Sequence, residues 1–359
     1  MEELLTAGWL RVSREPTLLA LIAVVLALFL VTLAFSAYAV LLRVQNERRD
    51  ARRSALAERW QSALLDAIVD PARIPELHRL VDDNRRLHFV GFVLQFARRM
   101  RGSESDVLRS VVQPYMGLIA ERLDSDRVEV RARAVQTLGT LGLPEHEDLV
   151  IAALDDPSPL VAMVAARALA KEGEPRYASA VLAKVHRFSE WNRVYLASML
   201  ATMGPAVSPG LRKGLADPTA ESWTRSVMAE ALRLQTDFEA GDVAAGVVAD
   251  TDDLDLAADV LRLLSEVGRP AHLPAIRARA TSHDPAVRAQ ALRALGRLGA
   301  PEDLPTLVEA LDDRVAWAAL YAARGVRETG GRELLLQAAE SDDRRGRLAA
   351  QVLAEEGAF

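Results

Sequence analysis

Cysteine is absent from the 359 residues of this sequence, so disulfide bonds, cysteine-ligated zinc and thiol nucleophiles are excluded. Aromatic residues make up only 5% of the chain, and there are six histidines. No pair of histidines has the spacing of a metal-binding motif, and phosphate-binding glycine loops and serine-hydrolase motifs are also missing. The sequence therefore predicts no catalytic residue, no cofactor and no metal site.

Positive charge is not in excess either. The chain has 44 lysine and arginine residues against 50 aspartate and glutamate residues, which gives a formal net charge of -6 at pH 7. A dedicated nucleic-acid-binding protein needs clustered lysine and arginine to contact phosphates. The acidic balance therefore predicts that nucleic acid is not a partner. Half of the residues are hydrophobic, which excludes a disordered chain.

One long apolar run stands near the N-terminus. Residues 17–42 contain no charged residue. As a helix they would be about 39 Å long, enough to cross a hydrocarbon core of about 30 Å. Pro16 suits the first turn of such a helix, and Arg43 ends the run. The sequence predicts a transmembrane helix at 17–42, preceded by a short tail at 1–16.

A cleaved signal peptide is the alternative interpretation of this run, because Ala37-Tyr38-Ala39 has the small residues of a cleavage site. The run is roughly twice as long as the apolar core of a usual signal peptide, about 7–15 residues. No excess of positive charge precedes it. A membrane anchor is therefore favoured, and the signal peptide stays open as the alternative.

Arginines are concentrated directly after the apolar run. This juxtamembrane basic cluster consists of Arg43, Arg48, Arg49, Arg52 and Arg53. Positively charged residues next to a membrane helix stay on the cytoplasmic side. The cluster predicts a single-pass protein of the inner or plasma membrane whose remaining residues lie in the cytoplasm. Attraction to anionic lipid headgroups is a second role for these arginines, but topology alone explains their number.

Residues 43–70 are predicted to continue as a juxtamembrane amphipathic helix, since 43–69 contain neither glycine nor proline. An apolar stripe recurs there at four-residue spacing: Leu56, Trp60, Leu64 and Ile68. Asp70-Pro71 ends the helix. We expect the membrane helix to run on without a break and to pack this stripe against the residues that follow. Residues 71–103 are predicted to form a divergent capping helix pair.

An internal repeat of 31 or 32 residues occupies the rest of the chain. Its marker is a leucine inside a short apolar stretch, and it recurs at Leu138, Leu169, Leu200, Leu232, Leu263 and Leu295. An acidic turn such as Asp284-Pro285 precedes these stretches, and another apolar stretch precedes the turn. Aspartate caps helix N-termini and proline fits the first turn. Each unit is therefore predicted to be a helix, an acidic turn, a second helix and a turn that contains glycine or proline.

These residues resemble the HEAT-repeat family, in the short bacterial form also described as PBS-lyase-type repeats. The D-P-x-V-R-x-x-A-L-x-x-L-G pattern is clearest at 284–296, and residues 183–250 fit it poorly. The resemblance covers about 104–350. It implies an all-α fold, an α-solenoid of about seven to eight HEAT-like helical hairpins over 104–359, preceded by one transmembrane helix.

Arginines also recur in register with the repeat. Arg131, Arg193, Arg225 and Arg288 each follow an acidic residue by three to five positions, as Arg131 follows Asp126 and Arg288 follows Asp284. Spacings of this size place an acid and an arginine on one flank of a helix. We expect these arginines to form structural ion pairs within or between repeats rather than a binding site for an anion.

The resemblance to HEAT solenoids places the inner face on the second helix of each unit. The candidate groove residues for a partner are Arg133, Arg167, Tyr195, Glu230 and Arg293. Their mixed charge suits a protein surface rather than nucleic acid. Three tryptophans near the starts of second helices are either interface anchors or packing residues: Trp191, Trp223 and Trp317.

The anchor, the repeat and the missing catalytic motifs together predict a membrane-anchored cytoplasmic scaffold or adaptor that binds protein partners through its solenoid. One candidate role is an accessory subunit of a membrane enzyme complex, such as one that makes envelope or exported polysaccharide. The alternative is an enzyme, because PBS-lyase-type proteins include bilin lyases and another HEAT-fold family excises damaged DNA bases. The anchor and the acidic balance disfavour both enzymes. The oligomeric state stays open, and the apolar run lacks a GxxxG motif for dimerisation.

Overall fold

The computed structural model describes residues 16–97, 99–100 and 102–355. These residues form twenty α-helices, joined in places by short 3₁₀ turns, and they contain no β-strand. The all-α class predicted from the sequence is therefore confirmed. The chain divides into two compact units, Met1–Pro114 and Tyr115–Phe359.

The first unit begins with one long helix, α1 (Pro16–Val69), which is continuous through the predicted transmembrane and juxtamembrane segments. A 24-residue window of it, Ala20–Arg43, has a mean hydropathy of 2.7, and none of it is buried by the protein. Within the described part of the chain it is the one helix long and apolar enough to cross a membrane. Arg43 is exposed; the tail at 1–15 and the side chains of Arg48, Arg49, Arg52 and Arg53 lie outside the described residues.

Three shorter helices complete the first unit: α2 (Ile74–Arg79), α3 (Arg86–Ala97) and α4 (Ser103–Val112). Trp60 and Leu64 of the predicted stripe are fully buried. The Trp60 ring meets Phe89 of α3 edge-on, with 5.2 Å between the ring centroids, and its indole N–H donates to the Leu80 carbonyl at 3.4 Å. Trp60 and Leu64 are therefore packed as expected of the stripe, whereas Ile68 is half-buried and the side chain of Leu56 lies outside the described residues. A capping role for residues 71–103 stays a prediction.

The second unit is a two-layer array of eight helical hairpins, counted over its described residues. The first helices are α5 (Met116–Ala120), α7 (Glu147–Ala152), α9 (Pro175–Leu182), α11 (Ser208–Ala216), α13 (Ala240–Asp250), α15 (Leu273–Arg277), α17 (Leu304–Glu309) and α19 (Arg332–Ala339). The second helices are α6 (Val128–Leu141), α8 (Pro159–Glu172), α10 (Arg193–Ala201), α12 (Ser222–Gln235), α14 (Leu254–Val267), α16 (Pro285–Leu298), α18 (Ala316–Glu328) and α20 (Arg344–Ala354). Successive second helices pack on one another, as several of the first helices do. This is the predicted α-solenoid.

The repeat leucines lie between the two layers. All six are buried, with at most 3% of their surface exposed, at Leu138, Leu169, Leu200, Leu232, Leu263 and Leu295. Burying each leucine stabilises its repeat by about 1.5–3 kcal/mol. The predicted register is therefore confirmed, because a shift of one position along the helix would turn these side chains out of the core.

Small residues set the distance between neighbouring second helices. A Cβ atom placed on Gly139 of α6 would lie 2.3 Å from the Cβ atom of Ala168 on α8. Gly296 of α16 and Gly325 of α18 form the same kind of contact, and a Cβ on Gly296 would lie 2.3 Å from the Gly325 Cα atom. The backbones approach too closely at these points to admit larger side chains.

Candidate binding surface on the second helices

The five candidate groove residues lie on the same face of their respective second helices. This face consists of the positions nine, five and two residues before the repeat leucine and the position two residues after it. These positions share a face because they are four, three and four residues apart. We call these positions the second-helix stripe. Arg133 and Tyr195 stand five residues before their leucines, and Arg167, Glu230 and Arg293 stand two residues before theirs.

The stripe is open on α6, α8 and α10. Arg133 and Arg167 are exposed, and so is Lys171 one turn beyond Arg167. None of these three cations forms an ion pair with another described residue. Tyr195 is 40% exposed and stacks on Trp191, with ring centroids 6.4 Å apart. This part of the predicted groove is therefore accessible to a partner.

The stripe is closed on α14. Of its four positions there, Ala258, Leu261 and Ser265 are buried and Leu254 is half-buried. Glu230 on α12 and Arg293 on α16 are only half-buried, but each already interacts with another side chain of the protein. Glu230 accepts two hydrogen bonds of 2.8 Å from Arg233. Arg293 donates to Glu266 at 2.9 Å and lies over the Tyr321 ring, 5.7 Å from its centroid. The five predicted residues thus share one face, but Glu230 and Arg293 already have partners within the protein.

An ion pair that skips a repeat lies beside the closed part of the stripe. Arg193 of α10 contacts Asp259 of α14, with Nη1–Oδ2 and Nη2–Oδ1 distances of 2.5 and 3.3 Å. These two helices are second neighbours in the layer of second helices, and Ser226 of the intervening α12 also favours the Asp259 carboxylate.

Burial dominates the electrostatics of this contact. Loss of solvent raises the pKa of Asp259 above its usual range, even though Arg193, Ser226 and Arg262 favour the carboxylate. The Arg262 guanidinium lies 3.6 Å from Oδ1 of the same carboxylate. Asp259 therefore has two cations as neighbours, which offset part of the cost of burying its charge.

Two of the arginines that recur with the repeat tie neighbouring hairpins together. Arg131 holds both carboxylate oxygens of Asp156, at 2.8 and 2.9 Å, and also donates to the Ser125 carbonyl at 2.8 Å. Arg288 binds Asp313 in the same way. In both cases the partner is the acidic turn of the next repeat, 25 residues further on. The structural role predicted for these arginines is thus observed.

The acids that precede these arginines in the sequence are not their ion-pair partners. Asp126 lies before the start of α6 and Asp284 is the N-cap of α16. Arg131 and Arg288 bind acids of the next repeat, which is the between-repeat pairing that the expectation allowed. A helical side chain leans toward the N-terminus of its helix, and this lean brings each guanidinium to the turn that opens the neighbouring second helix. Asp284 instead caps α16 by accepting the backbone N–H groups of residues 286 and 287. Arg193 also departs from the pattern, as described above, and Arg225 donates to a backbone carbonyl of α11.

Sequence reasoning missed two members of the open stripe. Lys171 follows Arg167 by four residues, and Leu160 precedes it by seven, so both share its helix face. Leu160 is 43% exposed. The four-residue spacing was available as a signal in the sequence. Of the three tryptophans, Trp317 is 41% exposed, whereas Trp191 and Trp223 are half-buried.

A separate open cleft lies at the edge of the solenoid, between the loop before α11 and the turn after α12. It has a volume of about 690 Å³ and is lined by Pro205, Pro209 and the exposed Phe238, among others. Arg212 crosses it to Asp237 and Glu239, at 3.0 and 2.6 Å. In the described part of the chain, no three histidine, aspartate or glutamate side chains are grouped so as to hold a metal ion.

Comparison with known proteins supports the repeat assignment. Residues 116–197 and 244–324 match the family model for HEAT repeats. The segment between these matches lies within 183–250, where the sequence pattern is weakest. A search of curated protein sequences gave no match.

Solved structures show the same fold at low identity. The karyopherin Kap121p bound to Pho4p is 15% identical, with a TM-score of 0.50 over 83% of this chain and 40% of that one. A multiple mutant of Kap121p gives a TM-score of 0.51, at 15% identity over 82% and 38% of the two chains. Human deoxyhypusine hydroxylase in complex with glycerol is 16% identical over 77% of this chain and 98% of that one, and its TM-score of 0.31 is too low to show a shared fold.

This chain spans about two fifths of the Kap121p chains, and identities of this size show the fold alone. That fold is typical of scaffolds that bind proteins. The hairpin array, the buried leucine register and the two matched segments together show that the chain carries HEAT repeats, which an apolar N-terminal helix precedes in the sequence.

Proposed function

We propose that the protein is a membrane-anchored scaffold, which holds a protein partner on the open second-helix stripe at the cytoplasmic surface of the inner or plasma membrane. Confinement to a membrane raises the effective concentration of the stripe toward partners in the same membrane. The proposed role is binding rather than catalysis. An accessory subunit of a membrane enzyme complex, such as one for envelope or exported polysaccharide, fits this role.

The continuity of α1 is the observation that carries the proposal. The exposed apolar window Ala20–Arg43 and the buried Trp60 belong to one helix. A signal peptide would be cut near Ala39, within this helix. Packing of Trp60 against Phe89 instead joins the apolar segment to a folded part of the chain. This arrangement is expected of an anchor with a fixed stalk.

The orientation rests on the basic residues that follow the apolar window. Arg43, Arg48, Arg49, Arg52 and Arg53 outnumber the two arginines that precede the window. Under the positive-inside rule this asymmetry keeps the solenoid in the cytoplasm. This rule concerns the direction in which a helix inserts into the membrane, so the arginines set the orientation without having to bind lipid.

Proximity labelling in the native cell tests the scaffold proposal. A labelling enzyme is fused after Phe359 of the full chain, and the same enzyme on an unrelated single-pass anchor serves as control. We expect a small set of membrane or cytoplasmic proteins to be labelled above the control. Labelling equal to the control would overturn the scaffold, and labelling confined to exported proteins would overturn the orientation.

A further inference from the structure

We propose that the open part of the second-helix stripe, on α6, α8 and α10, binds an acidic peptide segment that also carries apolar side chains. The inference rests on the proposed scaffold function and names the chemistry of the segment that this scaffold would hold. Four side chains define the site: Arg133, Arg167, Lys171 and Tyr195.

Unpaired positive charge is the first observation. The twelve stripe positions of these three helices include Arg133, Arg167 and Lys171 but a single acid, Glu129. All four charged side chains are exposed, and the three cations make no ion pair with described residues. Elsewhere on the second helices the protein provides such partners. Carboxylates from an incoming segment would complete the same pattern.

The contrast with the later repeats is the second observation. Cations at the corresponding face of the later second helices are neutralised within the protein: Arg293 and Arg297 by Glu266, and Arg324 by Glu355. Because the compensated and uncompensated parts belong to one repeat array, the open charge is a local feature. It marks α6 and α8 rather than the whole solenoid.

The helices α6 and α8 lie close enough together for their three cations to form one site. Gly139 and Ala168 bring α6 and α8 into backbone contact. Arg167 is next to Ala168, and Arg133 is six residues before Gly139. Neighbouring helices lie about 8–10 Å apart at most, so a peptide of a few residues can reach both arginines. Lys171 extends the positive surface by one turn.

Exposed apolar and aromatic side chains lie along the same stripe. Leu160 is 43% exposed at the other end of α8, and Tyr195 is 40% exposed on α10. Tyr195 is held by its stacking on Trp191, so it can contact a ligand with little loss of side-chain entropy. The site thus combines cations at the C-terminal end of α8 with apolar surface at its N-terminal end. A segment that mixes carboxylates with apolar side chains matches both.

Titration of designed probes tests the proposal. The full chain is reconstituted in nanodiscs of neutral phosphatidylcholine, and binding is followed by fluorescence anisotropy. The acidic probe is a fluorescein-labelled peptide with the sequence Glu-Leu-Asp-Phe repeated three times. In the basic probe lysine replaces every acidic residue. We expect the acidic probe to bind at least about tenfold more tightly and to weaken as salt is raised.

Charge reversal locates the site. Arg167→Glu combined with Lys171→Glu should weaken binding of the acidic probe at least about tenfold. Lys213→Glu is the matched control, since Lys213 is an exposed cation on a first helix, α11, with no ion pair among the described residues; it should leave binding unchanged. Arg133→Glu provides a second variant on α6. All four substitutions are at exposed positions, and unchanged melting curves would show that the variants are folded.

Three results would overturn the proposal: equal binding of the two peptides, equal loss in the stripe and control variants, or tighter binding of a thirty-residue oligo-dT or of phosphatidylserine vesicles that depends on the same arginines. The last two probes report a nucleic acid or a lipid surface instead. None of these results bears on labelling of neighbours from Phe359. Conversely, normal peptide binding with no labelled neighbour would overturn the scaffold function alone.

Discussion

Asp313 connects the hairpin that contains α18 to the preceding hairpin, which contains α16, and removing its charge should destabilise this end of the solenoid. The change is Asp313→Asn. In the folded protein Asp313 is 8% exposed and binds Arg288 through both oxygens, at 2.5 and 3.0 Å. It also accepts the backbone N–H of Val315 at 2.8 Å. The amide keeps the size of the side chain but leaves the guanidinium without a countercharge.

The size of the effect follows from this geometry. Removing one partner of a buried ion pair costs about 3–5 kcal/mol, because the other charge stays desolvated. Arg288 is 19% exposed and still donates to the Ser282 carbonyl, so we expect the lower end, about 3 kcal/mol. Solenoid repeats are coupled mainly to their nearest neighbours. The loss should therefore concentrate in the hairpins on either side of Asp313.

Hydrogen exchange followed by mass spectrometry measures both the size of the destabilisation and the hairpins in which it occurs. On the full chain in detergent micelles, Asp313→Asn should speed exchange in peptides from 285–328, with little change in 128–172. Asp342→Asn is the matched control, because Asp342 is fully exposed and its ion pair with Arg347 is 3.8 Å long. If the two variants exchange alike, the inter-repeat ion pair does not stabilise the array.

Three other perturbations test separate parts of the structure. Leu295→Asp places a carboxylate at a fully buried position and should cost at least about 4 kcal/mol in urea unfolding. Gly296→Val brings a side chain against Gly325, where even a Cβ would lie 2.3 Å from the Cα atom, and overpacking of this kind should cost about 3 kcal/mol. The Arg131 hydrogen bonds hold the pKa of the Asp156 carboxyl below its usual range. The unfolded state therefore binds a proton at Asp156 more tightly than the folded state does. The stability that Asp156 contributes is present above the pKa of the unfolded state and is lost as the pH falls through the pKa of the folded state.

Each of these predictions can be contradicted by a defined result. Gly246 is exposed to open space on α13, so Gly246→Ala should stabilise the helix slightly rather than disrupt it. Equal effects of Gly246→Ala and Gly296→Val would contradict the close approach of α16 and α18. Arg131→Gln should reduce the loss of stability on acidification, and an unchanged pH dependence would contradict the role of Asp156. Unfolding of Leu295→Asp at the wild-type urea concentration would contradict the repeat register.

The repeat register was accessible from the sequence because local signals determine it. An apolar residue every 31 or 32 positions, an aspartate that caps the second helix and a glycine at its end all act within one hairpin. Leu295, Asp284 and Gly299 show this in one of the matched repeats: the leucine is buried, the aspartate caps α16 and the glycine ends it in the left-handed conformation. The physics of one hairpin is enough to predict such positions.

The partners of the arginines were not accessible in the same way. Helical spacing reveals neighbours on one helix, so it proposed Asp126 for Arg131. The actual partner, Asp156, belongs to the next repeat, and only the stacking of hairpins brings it near. The contact between Arg193 and Asp259 was less accessible still, because the two residues are 66 positions apart in the sequence and lie in repeats that are not adjacent.

The most direct test of the account is the topology of α1. Because the chain lacks cysteine, single cysteines introduced by Ser13→Cys and Ser103→Cys report their own accessibility to a membrane-impermeant maleimide. In intact cells we expect labelling at position 13 alone, with position 103 reacting only after the membrane is permeabilised. Labelling at position 103 in intact cells would place the solenoid outside. Recovery of the position 103 variant in the soluble fraction, cut after Ala39, would show that the apolar run is a signal peptide and that the protein is not anchored.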